Sequence, residues 1–591
     1  MEEMRKGNRR NDSHNVSLAL QHDPPESNNV KPKPGDHRGS DSAHKDKKQN
    51  VLELAGFGGD EGRTNSGEHA GGQMDDRWRM EEEERPSSCC KLDDLKRLSD
   101  CEENLGLIRF DGTHAVLVDV EQLYNCQRIV PAKGKVAWDD NHVKMPHATR
   151  NQMGPNKGPP KWKQISECLF ALASRTEASA KDVEKAILHF NPKYRSVWTF
   201  DALLSFVKST PSSENDLNKL FAKIAALALK LPEEVQKAIP LLQRGRSASI
   251  TLSHVQISCL LANAFFCTFP HRNASKPSAE YHSYPSINFS SLFGKPSHRK
   301  IQKLKAIMHY FRVVTDEGAD KAGTNGLVTF ERRCLRDEDK PCWESCREPL
   351  RKLHVTSEGN IEDQGADLLQ VDFAAKVVGG GVLDSGLVQE EILFLLHPEL
   401  IVSRLFTQEL ADNECLIVKG MQRFSLYEGY SDAFQWAGPY DSRVERDEWR
   451  RLKRRIVAID ALHFRDPKQQ FHMNAIEREL NKAYCGFKCS GKHQEPDIAT
   501  GKWGCGAFNG DPQLKAVIQL MAAAKAGRGL AFFTFKDQKL ESELRDVYHL
   551  LVSKGCTVGG LYKLLQSYCA EVRRHKHEDL FDFIRKSGSK L

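Results

Sequence analysis

The 591-residue chain has no run of about 18 apolar residues, so no stretch of it reads as a membrane-spanning helix. It has no secretory signal, and its sixteen cysteines therefore read as reduced thiols of a nuclear or cytoplasmic protein, not as a disulfide framework. It has little excess of either charge. The 86 Lys and Arg against 80 Asp and Glu leave +6, which permits a polyanionic partner without arguing for one. It also lacks a metal-ligand spacing. Cys334, Cys342 and Cys346 are loosely spaced with no fourth ligand, and Cys485, Cys489 and His493 fall one ligand short of a zinc site. Neither a metal nor a cofactor is expected. What remains is ordinary for a water-soluble chain: 39% hydrophobic and 28% charged residues, over a length that suggests two to four domains.

Three regions differ in composition. Residues 1–104 are rich in Asn, Gly, Ser, Asp, Lys and Glu, with KPKPGDHRGS, HKDKK and EEEERPSS among them. That composition predicts a disordered tail, because it offers too little apolar surface to offset the entropy of ordering. Arg5, Lys6, Arg9, Arg10, Lys45, Lys47 and Lys48 form basic clusters in it, and VLELAGFGG from Val51 to Gly59 is an apolar island. Residues 105–320 form a mostly helical accessory region. GTHAVLVDVEQL alternates like a strand, and apolar periodicity then predicts helices over 162–174, 178–190, 199–208, 215–231, 253–267 and 298–312. Residues 321–580 alternate strands and helices, as α/β folds do. Strand candidates are LVTFE, LHVTS, LLQVDFA, ECLIVKG, RRIVAIDAL and LAFFTF; helices are predicted over 389–396, 473–483, 512–526, 540–554 and 558–573.

The stretch from Leu368 to Leu400 carries the strongest chemical signal. Leu369, Val371 and Phe373 alternate with polar neighbours, the pattern of a half-buried strand. Gly379, Gly380 and Gly381 follow, and Ser385 is placed to cap a helix whose first turn holds Gln389, Glu390 and Glu391. Glycines beside a helix N-terminus make a cradle for phosphate. Two adjacent carboxylates under partial burial raise a pKa and supply a general acid usable near neutral pH. The dipole also favours acids in any first turn, so a purely structural role fits the same residues. A second glycine-rich loop, ATGKWGCGAFNGD from Ala499 to Asp511, again allows close backbone approach to a diphosphate.

GGG, seven residues, then QEE resembles the signature of the poly(ADP-ribose) glycohydrolases, and the resemblance runs from about Ala137 to about Tyr568. It implies a macrodomain, a three-layer α/β/α sandwich with a mixed sheet. It also implies an enzyme that hydrolyses ribose–ribose O-glycosidic bonds of poly(ADP-ribose) and releases ADP-ribose. The expected partners are the polymer and poly(ADP-ribosyl)ated proteins. Glu391 would be the acid that protonates the leaving oxygen, Glu390 would hold ribose hydroxyls, and Asp372 would support and polarise the catalytic glutamate. Gln389 matches the family's ligand-binding Gln, and Gly379, Gly380 and Gly381 its ligand loop. Ile361 and Glu362 fall where the family contacts adenine, and Tyr430 matches the tyrosine that stacks on it. Lys502, Trp503, Gly504, Cys505, Gly506, Ala507 and Phe508 match the segment that wraps the diphosphate, with Phe535 lining the same cleft.

Two positions depart from the family pattern. Lys502 replaces an Asn, a change that a nearby diphosphate tolerates. Ala375 replaces an Asn that hydrogen-bonds the scissile ribose, so positioning is expected to weaken by about one hydrogen bond, ~0.5–1.5 kcal/mol. That departure supports an alternative reading, a catalytically weak or inactive module that binds ADP-ribose or its polymer. An enzyme acting on mono-ADP-ribosylated protein is a third.

Overall fold

The computed structural model describes residues 88–588 apart from 102–104, 155–157, 212–215, 275, 317–324, 442, 490–493 and 573–578. The basic clusters of the tail, the 51–59 island and His493 lie outside the described residues.

A nine-stranded sheet organises the fold. In chain order its strands are β1 (His114–Val116), β2 (Ala248–Ser253), β3 (Leu327–Cys334), β4 (Leu353–Thr356), β5 (Leu369–Ala374), β6 (Glu414–Gly420), β9 (Leu452–Asp460), β10 (Ile498–Gly501) and β11 (Leu530–Phe533). β7 (Ser425–Glu428) and β8 (Gln435–Pro439) form a separate hairpin. Across the sheet the order is β1-β2-β3-β6-β9-β5-β10-β11-β4. β2, β3, β6 and β9 pair antiparallel in turn, whereas β9, β5, β10, β11 and β4 run parallel. The sheet is therefore mixed, as expected.

Period-two alternation sends each strand's side chains into two different cores. Leu416, Val418, Ile456 and Ala458 join one apolar cluster, while Cys415, Ile417, Val457 and Ile459 join the other. Helices cover both faces, which gives the three-layer macrodomain with its preceding helical domain. The first cluster is shared: Leu169, Phe221, Phe265 and Phe311 of the helical region pack with Leu395, Phe406 and Val418. β1 and β2 also come from that region and add two strands to the sheet. The boundary at 320 therefore divides neither the sheet nor the core.

Most helices fall where periodicity puts them. In GTHAVLVDVEQL only His114–Val116 is strand, and a short helix Val120–Asn125 follows because Asp119 caps it, accepting from the Gln122 N–H at 3.0 Å. The helix expected from 253 begins at His254, with Ser253 and Gln256 capping one another's backbone. The six residues before it form β2, hidden in the sequence by their short run. Strand β5 differs in kind. Lying between β9 and β10, it is buried on both faces, and even Gln370 and Asp372 are enclosed.

The tail expected to be disordered through residue 104 is ordered from 88. Cys90 donates its N–H to Leu353 O at 2.9 Å on edge strand β4, and Asp497 N–H donates to Lys96 O at 2.8 Å. Leu95 packs against Ile361, Leu368 and Phe533. A polar average over 104 residues conceals a short strap that closes a sheet edge. Chains beginning at residue 88 and at residue 102 should therefore differ. The shorter should melt several degrees lower, since Leu95 and Leu98 are buried and each contributes ~1.5–3 kcal/mol. Equal melting temperatures in a thermal scan would show that the strap adds nothing.

Candidate active site

The helix Gln389–Leu396 leaves the C-terminal side of β5 after a loop built on the three glycines, and all its side chains are buried. Val388, not Ser385, occupies its N-cap position. The reason lies in the helix itself: Glu391 bends back, so that its Oε2 accepts from Val388 N–H at 2.8 Å and its Oε1 from Gly381 N–H at 2.7 Å. Glu390 does the same one residue earlier, accepting from Ala375 N–H at 2.7 Å and Gly379 N–H at 2.6 Å. Gln389 clamps β5, its Oε1 accepting from Phe373 N–H at 2.8 Å and its Nε2 donating to Val371 O at 3.2 Å. The N–H groups of Gly379 and Gly381 therefore hold carboxylates and are not open to a phosphate.

This packing requires glycine. Gly380 has φ +43°, and a Cβ there would stand 2.4 Å from Glu391 Oε1 and 2.9 Å from Glu390 Oε2. A Cβ on Gly386 would lie 2.6 Å from Glu391 Oε1. The loop thus fits against both carboxylates with no room for a side chain.

Asp372, on β5 beneath them, is fully buried, and neither carboxylate oxygen has a partner among the described residues. Burial, with Glu391 and Glu362 nearby, holds its carboxyl well above the usual range. Glu390 is also held high, by burial and then by Asp372 and Glu391, against the pull of its two N–H donors. Burial pushes Glu362 up to about 7. The carboxyls of Asp372, Glu390 and Glu362 are thus all held above their ordinary range, the direction that favours a carboxyl carrying a proton near neutral pH.

Two cations reach the same loop from behind, and neither was visible as a site residue in the sequence. Lys303, fully buried, donates from Nζ to the carbonyls of Gly381 and Asp384 at 2.8 Å, Val382 at 3.2 Å and also Gly386. Arg404 donates to Val378 O at 2.7 Å and Gly380 O at 3.1 Å. Burial pushes Lys303 down to about 7 and Arg404 down to about 10. A lysine on an amphipathic helix and an arginine after a proline carry no local signal of such a role.

Two stretches of the chain match families of known proteins. "Poly (ADP-ribose) glycohydrolase (PARG), helical domain" matches residues 209–332, and "Poly (ADP-ribose) glycohydrolase (PARG), Macro domain fold" matches residues 340–542. The probable poly(ADP-ribose) glycohydrolase 2 of Arabidopsis thaliana is 32% identical over 430 residues, spanning 61% of this chain and 80% of that one. The chain belongs to the poly(ADP-ribose) glycohydrolase family. Poly(ADP-ribose) glycohydrolase 1 of the same plant is 33% identical, over 57% of this chain and 72% of its own. A solved poly(ADP-ribose) glycohydrolase from Deinococcus radiodurans in complex with ADP-ribose aligns at 17% identity, over 40% of this chain and 95% of that one. Its TM-score of 0.24 is too low to bear on the fold.

Against the glycohydrolase pattern the expected contact residues divide. Tyr430 is 54% exposed and stands at the start of the turn Ser431–Ala433. Phe535 has φ +52°, and its ring lies over Gly501, where a Cβ would come within 2.6 Å of it. Gly506 and Ala507 are exposed, with open space around Gly506; Cys505 and Phe508 are partly buried, Phe508 beside His463. Lys502 Nζ stands 3.5 Å from Asp537 Oδ2. Two expected contacts are instead core. Trp503 is fully buried, donates to Ile459 O at 2.9 Å and lies under Lys515; beside it Gly504 has φ +74°, and a Cβ there would stand 2.5 Å from Ala461 Cβ. Ile361 is buried against Leu95, Leu368 and Phe533, so its side chain supports the Glu362 end of the cleft from below. A cavity of about 740 Å³ lies beyond the second glycine loop, and none of Asp372, Glu390 and Glu391 lines it. Asp466, Asp511, Asp537 and Asp579 around it each cap a helix.

Glu362 offers a pH test. Its folded form keeps a proton between its ordinary value of 4.5 and about 7, where the unfolded chain does not. Stability from this group is therefore lost as pH rises through that window, and above 7 the chain carries a buried carboxylate. Glu362→Gln removes the titration, so its stability relative to the parent should rise by ~1–3 kcal/mol between pH 5 and pH 8. A denaturant-unfolding difference that does not change with pH would refute the assignment.

Proposed function

We propose that the chain hydrolyses ribose–ribose O-glycosidic bonds of poly(ADP-ribose) and releases ADP-ribose, with Glu391 as the acid. The observation that carries this reading is the carboxylate pair of Glu390 and Glu391, held by loop N–H groups over Asp372, whose oxygens have no partner among the described residues. Glu391 gives its proton to the leaving ribose oxygen as the C1–O bond breaks, through an oxocarbenium-like transition state. Its carboxylate then takes a proton from the water that bonds to C1, so no net proton is consumed. Glu390, fixed by Ala375 and Gly379, accepts from ribose hydroxyls, and Asp372 keeps the pair polarised from below. Tyr430 stacks on adenine, with Glu362 at its edge. The diphosphate lies between the Gly506–Phe508 side of the second loop and Phe535. The names of the relatives from Arabidopsis support this substrate.

Ala375 supplies its backbone N–H to Glu390 whatever its side chain, so its replacement of Asn removes a ribose contact and leaves the acid in place. A binding-only module is therefore not favoured. We place the protein in the nucleus or cytoplasm, with poly(ADP-ribosyl)ated proteins as its partners.

The deciding experiment incubates purified protein with poly(ADP-ribose) and, separately, with mono-ADP-ribosylated protein, and follows free ADP-ribose. Release from polymer alone is expected; binding without release would leave only a reader. Glu391→Gln keeps size and hydrogen bonding but not proton transfer, so turnover should fall ~10²–10⁴-fold with ADP-ribose affinity little changed. Turnover within a few-fold of the parent would remove Glu391 from the role.

A further inference from the structure

We infer that the helix His298–Val314 is a positioning element of the acid site, with Lys303 as the positioning residue that fixes the 381–388 loop around Glu391. The inference rests on the hydrolase reading and adds to it a residue from outside the macrodomain.

Lys303 differs from the other fully enclosed lysines. Lys482 pairs with Asp460 and Lys515 with Glu479. Lys303 makes no ion pair among the described residues; its ammonium donates only to the carbonyls of Gly381, Val382, Asp384 and Gly386. Burying a cation on neutral acceptors alone is costly. What it achieves is a loop shape. Four carbonyls of the segment from Gly381 to Gly386 all turn toward a single nitrogen, so the segment curls around it.

The ends of that curl hold the acid. Gly381, whose carbonyl meets Lys303, donates its N–H to Glu391 Oε1, and Val388 donates to Glu391 Oε2. The same helix face carries a second tie. Arg299 donates from Nη1 to Ser385 O at 3.2 Å, from Nε to Asp432 Oδ1 at 2.5 Å and from Nη2 to Ser431 Oγ at 3.0 Å. It thereby joins the loop to the turn that follows Tyr430. Residues four apart on a helix lie on one face, so Arg299 and Lys303 act on the loop together.

The test begins with the parent, since absence of ADP-ribose release from polymer would defeat the hydrolase reading itself. With an active parent, Lys303→Met should lower kcat by ~100-fold, the cost of an acid misplaced by about 1 Å, with KM changed little. Lys303→Arg, which keeps the charge and donors, should recover part of that loss. Lys482→Met serves as the control, expected to lower the melting temperature without a selective loss of kcat. A Lys303→Met protein that melts like the parent and turns over within threefold of it would overturn the inference. If Lys303→Met does not fold, Arg299→Ala decides. A kcat about tenfold lower at unchanged KM supports the positioning role, and an unchanged kcat overturns it.

Discussion

The fold's chemistry depends on one backbone arrangement: two neighbouring carboxylates at a helix start, each folded back onto main-chain N–H groups of the loop that leads into that helix. Glu390 takes Ala375 and Gly379, and Glu391 takes Gly381 and Val388. An N–H donor bonded to a carboxylate forms one of the stronger hydrogen bonds available to a protein. Four of them fix both side chains from the main chain. The glycines follow from this, because the loop must approach the carboxylates more closely than a Cβ permits. So does the burial of the helix, whose remaining side chains anchor it in the core shared with the helical region.

That shared core changes what the helical region is for. Its composition reads as a separate structural domain, and its helices do bury one another. Yet it contributes β1 and β2 to the sheet, and Lys303 and Arg299 to the loop beside the acids. A macrodomain without it would expose one sheet face and leave the loop carbonyls of Gly381 to Gly386 without their cation. The two regions are better described as one folding unit with the acid site at their junction.

How much of this was legible in the sequence depended on the range of the interaction concerned. Local patterns carried most helices and the longer strands, because periodicity reports the buried face directly. The acid pair and the glycines were legible because they lie within one 33-residue stretch of the chain, Leu368 to Leu400. What was illegible depended on distant partners. Strand β5 looked half-buried because Gln370 and Asp372 are polar, and only its place between β9 and β10 shows them enclosed. Trp503 sits in a glycine-rich loop that reads as a ligand wall, but its indole turns inward to Ile459 O. Lys303 looks like any solvent-facing lysine until a loop some 80 residues later closes on it. The family resemblance supplied roles for residues, not their orientation, and orientation is where the corrections fell.

Asp372 shows what the arrangement costs. A carboxyl buried with neither oxygen hydrogen-bonded among the described residues is destabilising by roughly 1–3 kcal/mol even when neutral. An apolar residue of similar size on that face of β5, which Asp372 shares with Gln370 and Ala374, would leave no carboxyl unsatisfied. Its neighbours increase the cost, because Glu391 and Glu362 both oppose its ionisation. On the hydrolase reading, a group that stability alone would remove is explained by its place beside Glu390 and Glu391. A protonated Asp372 would add no further negative charge beside Glu390 and Glu391, in keeping with the upward direction of its pKa. On that reading the under-satisfied acid belongs to the site, and the apolar cores on both faces of the sheet offset what it costs.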